Sequence, residues 1–188
     1  PHAATPRAAK LAAVREGLSK HGATHHFVST VDDVAWITNL RGADVDYNPV
    51  FLAHLLIDAT TATLFISAGK IDAALAAELA ADGVTPADYA EAAKSLAALP
   101  AGATLLVDPK RITLAFREQV PATVKVVEAI NPSTLAKSRK TADEAAHIRE
   151  APRVGEHYVI MSWLEDRGER VARGCSALLD EHGVTHGV

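Results

Sequence analysis

Phe51-Leu52-Ala53-His54-Leu55-Leu56-Ile57-Asp58, then Ala59-Thr60-Thr61, then Ala62-Thr63-Leu64-Phe65-Ile66-Ser67 is the stretch on which the fold turns. Two short, mostly apolar runs flank a small polar turn, a pattern that predicts two strands joined as a hairpin. Such a connection makes antiparallel pairing. Toward the N-terminus, Pro6 to Gly22 carries Leu11, Val14 and Leu18 at helical spacing and predicts an amphipathic helix stopped by Gly22. His25 to Thr30 reads as a short strand, and Asp32 to Trp36 as a brief helix or turn. Toward the C-terminus, Ile71 to Ala81 and Tyr89 to Leu99 read as helices, and Pro100-Ala101-Gly102 as a break. Ala103 to Val107 follows as a buried strand, Lys110 to Val120 as a helix after Asp108-Pro109, and Thr123 to Glu128 as a strand. Helices alternating with short apolar strands define an α/β fold, and the hairpin makes its sheet mixed.

The length of 188 residues allows one or two domains. Hydrophobic residues make up 48% of the chain, but much of that share is alanine, so the core has to come from Leu, Ile, Val and a few aromatics. A net charge of -4 and a pI near 6.1 argue against a nucleic-acid module, which carries a basic face. No apolar run approaches the roughly 20 residues of a membrane span, and no basic, apolar and small-residue signal segment opens the chain. Cys175 stands alone, which excludes an internal disulfide and fits a reducing compartment. The expectation is a cytoplasmic protein with no nucleic-acid or membrane partner. The start at Pro1, with no methionine, adds the expectation that it is part of something longer.

Composition shifts at Asn131-Pro132-Ser133 to a charged stretch containing Lys137, Arg139, Lys140, Asp143, Glu144, Arg149 and Glu150. Thr141-Ala142-Asp143-Glu144 has capping-box form and predicts a helix start. That helix would carry Ala145, Ile148 and Ala151 on one face and end or kink at Pro152. A domain boundary is therefore placed near residue 131, with an α/β domain over residues 1–130 and a separate segment over 131–188.

The densest polar run is Asp32 to Phe51, which mixes Arg41, four aspartates, Asn39, Asn48, Trp36 and Tyr47 and reads as a loop over a sheet edge. Arg41 is suited to hold a carboxylate with two prongs: that of Asp33, that of Asp44 or a ligand's. An internal Arg–Asp clamp ordering the loop is the first reading, and a substrate or subunit contact the second. His25 and His26 beside Asp32 and Asp33 form the best group of metal-ligating types. Neighbouring strand residues point to opposite faces, however, so one packed and one solvated histidine is expected. His182 and His186 have helical ligand spacing, but Gly183 and the chain end oppose a helix. Cys175 has no partner base. Ser29 and Ser67 lack a nucleophile-elbow pattern, and Gly42 and Gly69 make no phosphate loop. No catalytic residue and no metal ligand is assigned in this chain.

Trp36-Ile37-Thr38-Asn39-Leu40-Arg41-Gly42-Ala43-Asp44, followed by Tyr47-Asn48-Pro49-Val50-Phe51, resembles a signature of the middle domain of aminopeptidase P (Xaa-Pro aminopeptidase). That family belongs to the creatinase/prolidase-like metallopeptidases. Asn131-Pro132-Ser133 with Lys137, Lys140, Glu144 and Ile148-Arg149-Glu150-Ala151 is similar to the opening of its catalytic pita-bread domain. The resemblance covers about residues 7 to 151, and after it Trp163-Leu164-Glu165 resembles a family stretch that arrives early. It implies a creatinase N-terminal-like (ribonuclease H-like) mixed sheet flanked by helices, followed by an incomplete start of the pita-bread domain.

It further implies an enzyme that removes the N-terminal residue preceding proline, using two divalent metals, usually manganese, held by two Asp, one His and two Glu. Those ligands belong to the catalytic domain, and none is carried over here. Arg41, Asp44 and Asn48 match motif positions and are the candidates for a substrate or interface contact, with an architectural role favoured. The implied partners are the missing catalytic domain of the same chain, a second copy in a homodimer and, for the full-length enzyme, a proline-containing peptide. Two alternatives stand beside this reading: a stand-alone interaction or dimerisation module, and a fragment of another creatinase/prolidase-type enzyme.

Overall fold

The computed structural model describes residues 5–146 and residue 149. Cys175, the His182–His186 pair, the Trp163 stretch and the predicted helix end at Pro152 lie outside the described residues. Residues up to Arg139 form one compact unit, and a second begins at Lys140. In the second unit residues 142–146 are helical, and the capping box is formed reciprocally. The Thr141 amide donates to Glu144 Oε2 at 2.9 Å, and the Glu144 amide donates to Thr141 Oγ1 at 3.2 Å.

The first unit is built from α1 (Arg7–Lys20), β1 (His25–Val28), α2 (Val31–Thr38), β2 (Ala53–Ile57), β3 (Ala62–Ile66), α3 (Ala73–Ala81), β4 (Val84–Asp88), α4 (Glu91–Ala97), β5 (Thr104–Val107), α5 (Leu114–Arg117), β6 (Lys125–Glu128) and α6 (Pro132–Ser138). The strands form one mixed sheet in the order β4-β3-β2-β1-β5-β6. The hairpin β2–β3 is antiparallel, with Leu55 opposite Leu64, and β1 is antiparallel to β2. The β3–β4, β1–β5 and β5–β6 pairs are parallel.

Alternation along the strands divides the core into two layers. Ala53, Leu55, Ile57, Ala62, Leu64, Ile66 and Val28 pack with Leu11, Val14 and Leu18 of α1, Val34 and Ile37 of α2 and Leu79 of α3. Phe27, Phe65, Leu105 and Val107 point the other way, onto Ala92 and Leu96 of α4, with Phe116 of α5 against them. Ile71, just before α3, and Leu75 on it sit partly buried against the first layer. Gly22, at φ 61, ends α1 in the left-handed region that favours glycine.

Three expectations need correction. Val84 to Asp88 is a strand that the sequence reading omitted, and it tolerates Pro86 because it is the sheet's edge. Helix α5 is only Leu114–Arg117, because Asp108 Oδ1 takes the Lys110 amide at 3.0 Å in a turn and Thr113 caps the helix. Pro132–Ser138 is helical, with proline at its first position, where a missing N–H costs nothing.

Candidate functional site

Helix α2 ends at Asn39, which adopts the left-handed conformation (φ 57) and turns the chain into the Leu40–Leu52 loop. The loop is held by its own backbone. The Gly42 amide donates to Pro49 O at 3.4 Å, the Asp44 amide to Val50 O at 3.2 Å, and the Val50 amide to Asn48 O at 2.7 Å. Tyr47, also left-handed at φ 59, is fully exposed at the tip. Glycine is required at position 42, since a Cβ there would lie 2.6 Å from Phe51 Cβ and 3.2 Å from Val50 O. Gly42→Ala should therefore cost about 1–3 kcal/mol of stability, read as a lower urea midpoint, and speed exchange of the Asp44 and Val50 amides. An unchanged midpoint would contradict this account of the loop.

Under the loop lies a cavity of about 230 Å³ with a floor of Leu40, Phe51, Ile66, Ile71 and Leu75. Arg41, Asp44 and Lys70 stand around it. The expected Arg–Asp clamp is not formed. Arg41 Nη1 instead donates to the carbonyls of Ala35 (3.1 Å) and Leu40 (2.8 Å). The physical reason is that the end of α2 leaves carbonyls without helical partners, and a guanidinium there also complements the helix dipole.

Asp44 is taken by Lys70, and its Oδ2 accepts the Leu52 amide at 2.7 Å. The Lys70 hydrogen bond, and after it the Leu52 amide, hold the Asp44 carboxyl below the ordinary carboxylate range. Asn48 contributes backbone groups to the turn and does not line the cavity. Thus two of the three candidates, Arg41 and Asp44, meet at one cavity without touching each other's charge. Lys70 was missed because it lies 26 residues from Asp44, and no local pattern announces such a pair.

Asp33 is committed elsewhere. Its Oδ2 accepts from Thr30 Oγ1 (2.7 Å), Thr134 Oγ1 (3.0 Å) and Asn131 Nδ2 (3.2 Å), and its Oδ1 lies 3.0 Å from Lys137 Nζ. Burial pushes the Asp33 carboxyl up, but the bonds from Thr30, Lys137 and Asn131 outweigh it and the net direction is down.

His26 is fully buried, with Nδ1 2.9 Å from Leu106 O, while His25 is only half-buried with Nδ1 2.8 Å from Thr24 Oγ1. The sequence reading also passed over His54, one residue of an apolar strand. It is 6% exposed, accepts or donates at Nδ1 to Ser29 Oγ at 3.1 Å, and is enclosed by the rings of Phe27, Tyr89 and Phe116 at 4.6–5.5 Å. Burial lowers its pKa. Its surroundings are aromatic packing rather than a proton relay. Among the described residues no group of three His, Cys, Asp or Glu stands together to hold a metal ion. The metal pair implied by the resemblance therefore has no seat among these described residues.

A mixed six-stranded sheet with this loop at one end defines a class of domain, and comparison with known proteins places the chain within it. Residues 2–144 match the Creatinase/Prolidase N-terminal domain, and the chain belongs to that family. It is similar to Xaa-Pro aminopeptidase 1 of Dictyostelium discoideum, 31% identical over 163 residues that cover 84% of this chain and 25% of the relative. A probable Xaa-Pro aminopeptidase P of Botryotinia fuckeliana is 30% identical over 168 residues, covering 83% of this chain and 25% of that protein. The chain thus spans about a quarter of the length of these curated relatives.

Among solved structures, the X-prolyl aminopeptidase of Caenorhabditis elegans, described as a cytosolic enzyme with a di-nuclear active site, superposes with a TM-score of 0.68 at 21% identity. That match covers 86% of this chain and 28% of the worm enzyme. The Xaa-Pro dipeptidase of Bacillus anthracis gives 0.58 at 16% identity, over 85% of this chain and 44% of that one. Both likenesses concern the fold. Among the described residues no helix is long and apolar enough to cross a membrane.

Proposed function

We propose that this chain is the non-catalytic portion of a cytoplasmic, metal-dependent Xaa-Pro aminopeptidase, an enzyme that removes the N-terminal residue preceding proline. Residues 1–130 are its creatinase N-terminal-like domain, and residues 131–188 are the linker and first helices of the catalytic domain. The two divalent metals, manganese in this reading, are held by that missing domain. The chain's own contribution is to shape the substrate cleft and to take part in a homodimer, with Arg41, Asp44 and Asn48 as the substrate or interface residues.

The observation that carries the reading is the loop from Arg41 to Phe51. It matches the family motif, it is fixed by its own backbone bonds, and it roofs an apolar cavity with charges at its mouth. The names of the aligned relatives support the substrate class. The test is the coding DNA beyond Val188. The reading expects it to continue, in some frame, into two Asp, one His and two Glu spaced as a di-metal ligand set. A short complete frame with no such continuation would replace it with the stand-alone module.

A further inference from the structure

Helix α6 is bound to the rest of its unit in an unusual way. Its only buried residue is Ser133, while Leu135 is 54% exposed and Ile130, just before it, is 56% exposed. Little apolar area therefore holds it. The polar contacts converge instead on one carboxylate: Asn131 Nδ2, Thr134 Oγ1 and Lys137 Nζ all reach Asp33, at 3.2, 3.0 and 3.0 Å. Two further ties are the Asn131 amide to Asp108 Oδ2 at 3.2 Å and Asn131 Nδ2 to Thr30 Oγ1 at 3.4 Å.

The seat beneath the helix is imperfect. Asn131 Oδ1 and Ser133 Oγ are buried with no hydrogen-bond partner among the described residues. Burying unpaired oxygens costs free energy that water would repay if the helix lifted. On its other flank α6 rests against α1 only because residue 17 is glycine, since a Cβ there would stand 2.6 Å from Pro132 Cβ.

We propose that α6 is a strap that opens and closes while the sheet stays folded, and that the Asp33 carboxylate is its latch. Asp33 sits on α2, whose Val34, Ala35 and Ile37 remain packed in the first core layer whether or not α6 is docked. Replacing the carboxylate by a carboxamide removes the charge that faces Lys137 and one of the two accepting oxygens, and leaves α2 its apolar anchorage. Elements with few apolar contacts are the ones that open locally below the global unfolding free energy. α6 is the last element of its unit, which ends at Arg139.

Amide hydrogen exchange on the 188-residue chain tests this, read at Thr134, Leu135 and Arg139 of the α6 region and at Phe27, Leu105 and Leu106 of the sheet. In the wild type the α6 amides should exchange through a local opening that denaturant hardly accelerates, while the sheet amides follow global unfolding. Asp33→Asn should speed the α6 amides at least ~10-fold and the sheet amides by less than ~2-fold. Gly17→Ala should do the same by pushing on Pro132, without touching the carboxylate. A parallel rise in α6 and the sheet would overturn the strap, because α6 would then open only with the whole unit. No rise in Asp33→Asn would remove Asp33 as the latch. If Asp33→Asn does not fold, the wild-type denaturant dependence and Gly17→Ala decide alone, and α6 amides that track the sheet overturn the proposal.

Discussion

Acidification from neutral pH to about 4 should cost the domain about 3 kcal/mol through His26 alone. The imidazole is fully buried, and burial, opposed by the Leu106 carbonyl and by Asp33 and Asp108, lowers its pKa from 6.5 to about 4. Its Nε2 has no partner among the described residues, so a proton there would be a buried charge without an acceptor. The unfolded chain takes up a proton as the pH falls through 6.5, and the folded chain does not until about 4. The contribution is thus complete above pH 6.5 and is lost progressively toward 4.

His54 shifts in the same direction for the same reason, burial, and adds to the loss. Asp58 follows at lower pH. Burial would raise its pKa, but four bonds from Thr60 and Thr61 bring it to about 2, so its share is lost below the ordinary carboxylate range. Urea midpoints between pH 7 and about 4.5 measure the effect. His26→Gln should be less stable at pH 7 yet show a flatter pH dependence, and an equally steep profile in that variant would assign the lability elsewhere.

Phe27→Ala should cost about 3–5 kcal/mol, the range for truncating a large buried ring. Phe27 is 2% exposed at the centre of the second core layer, with Phe116 at 5.1 Å and His54 stacked on it at 5.5 Å. The substitution leaves a void that strand β1 cannot close, since β1 is pinned between β2 and β5. Water reaching the vacated space should also bring the His54 pKa back up toward 6.5, which NMR titration of its ring protons reads directly. Phe27→Leu should lose far less. A loss under about 1 kcal/mol for Phe27→Ala would mean the α4–α5 layer collapses onto the gap.

Much of this architecture was legible in the sequence because local chemistry and tertiary role agree. Leu11, Val14 and Leu18 specify α1, the Phe51–Ser67 pattern specifies the hairpin, and Thr141 with Glu144 specifies a helix start. Where they disagree, the sequence misleads. Pro86 argues against a strand, and only the sheet-edge position of β4 makes it harmless. Asn131-Pro132 reads only as a change of composition, and nothing near it in the chain announces its contact with Asp33, 98 residues earlier.

The candidate site shows the same division. Arg41 and Asp44 were found from a motif, but the motif could not say who pairs with whom. Arg41 serves carbonyls made available by the end of α2, and Asp44 serves a lysine on the far side of the hairpin. His54 gave no signal because its enclosure is assembled from Phe27, Tyr89 and Phe116, which come from separate elements.

As the proposed non-catalytic part of an Xaa-Pro aminopeptidase, this chain should fold on its own and turn over no substrate. The direct test is to incubate the purified 188-residue chain with manganese and a peptide carrying proline in second position, and to assay release of the first residue. Circular dichroism on the same sample should show a cooperatively folded α/β protein, and the assay should show no release above the uncatalysed background. Manganese-dependent cleavage that scales with the concentration of this chain would contradict the account.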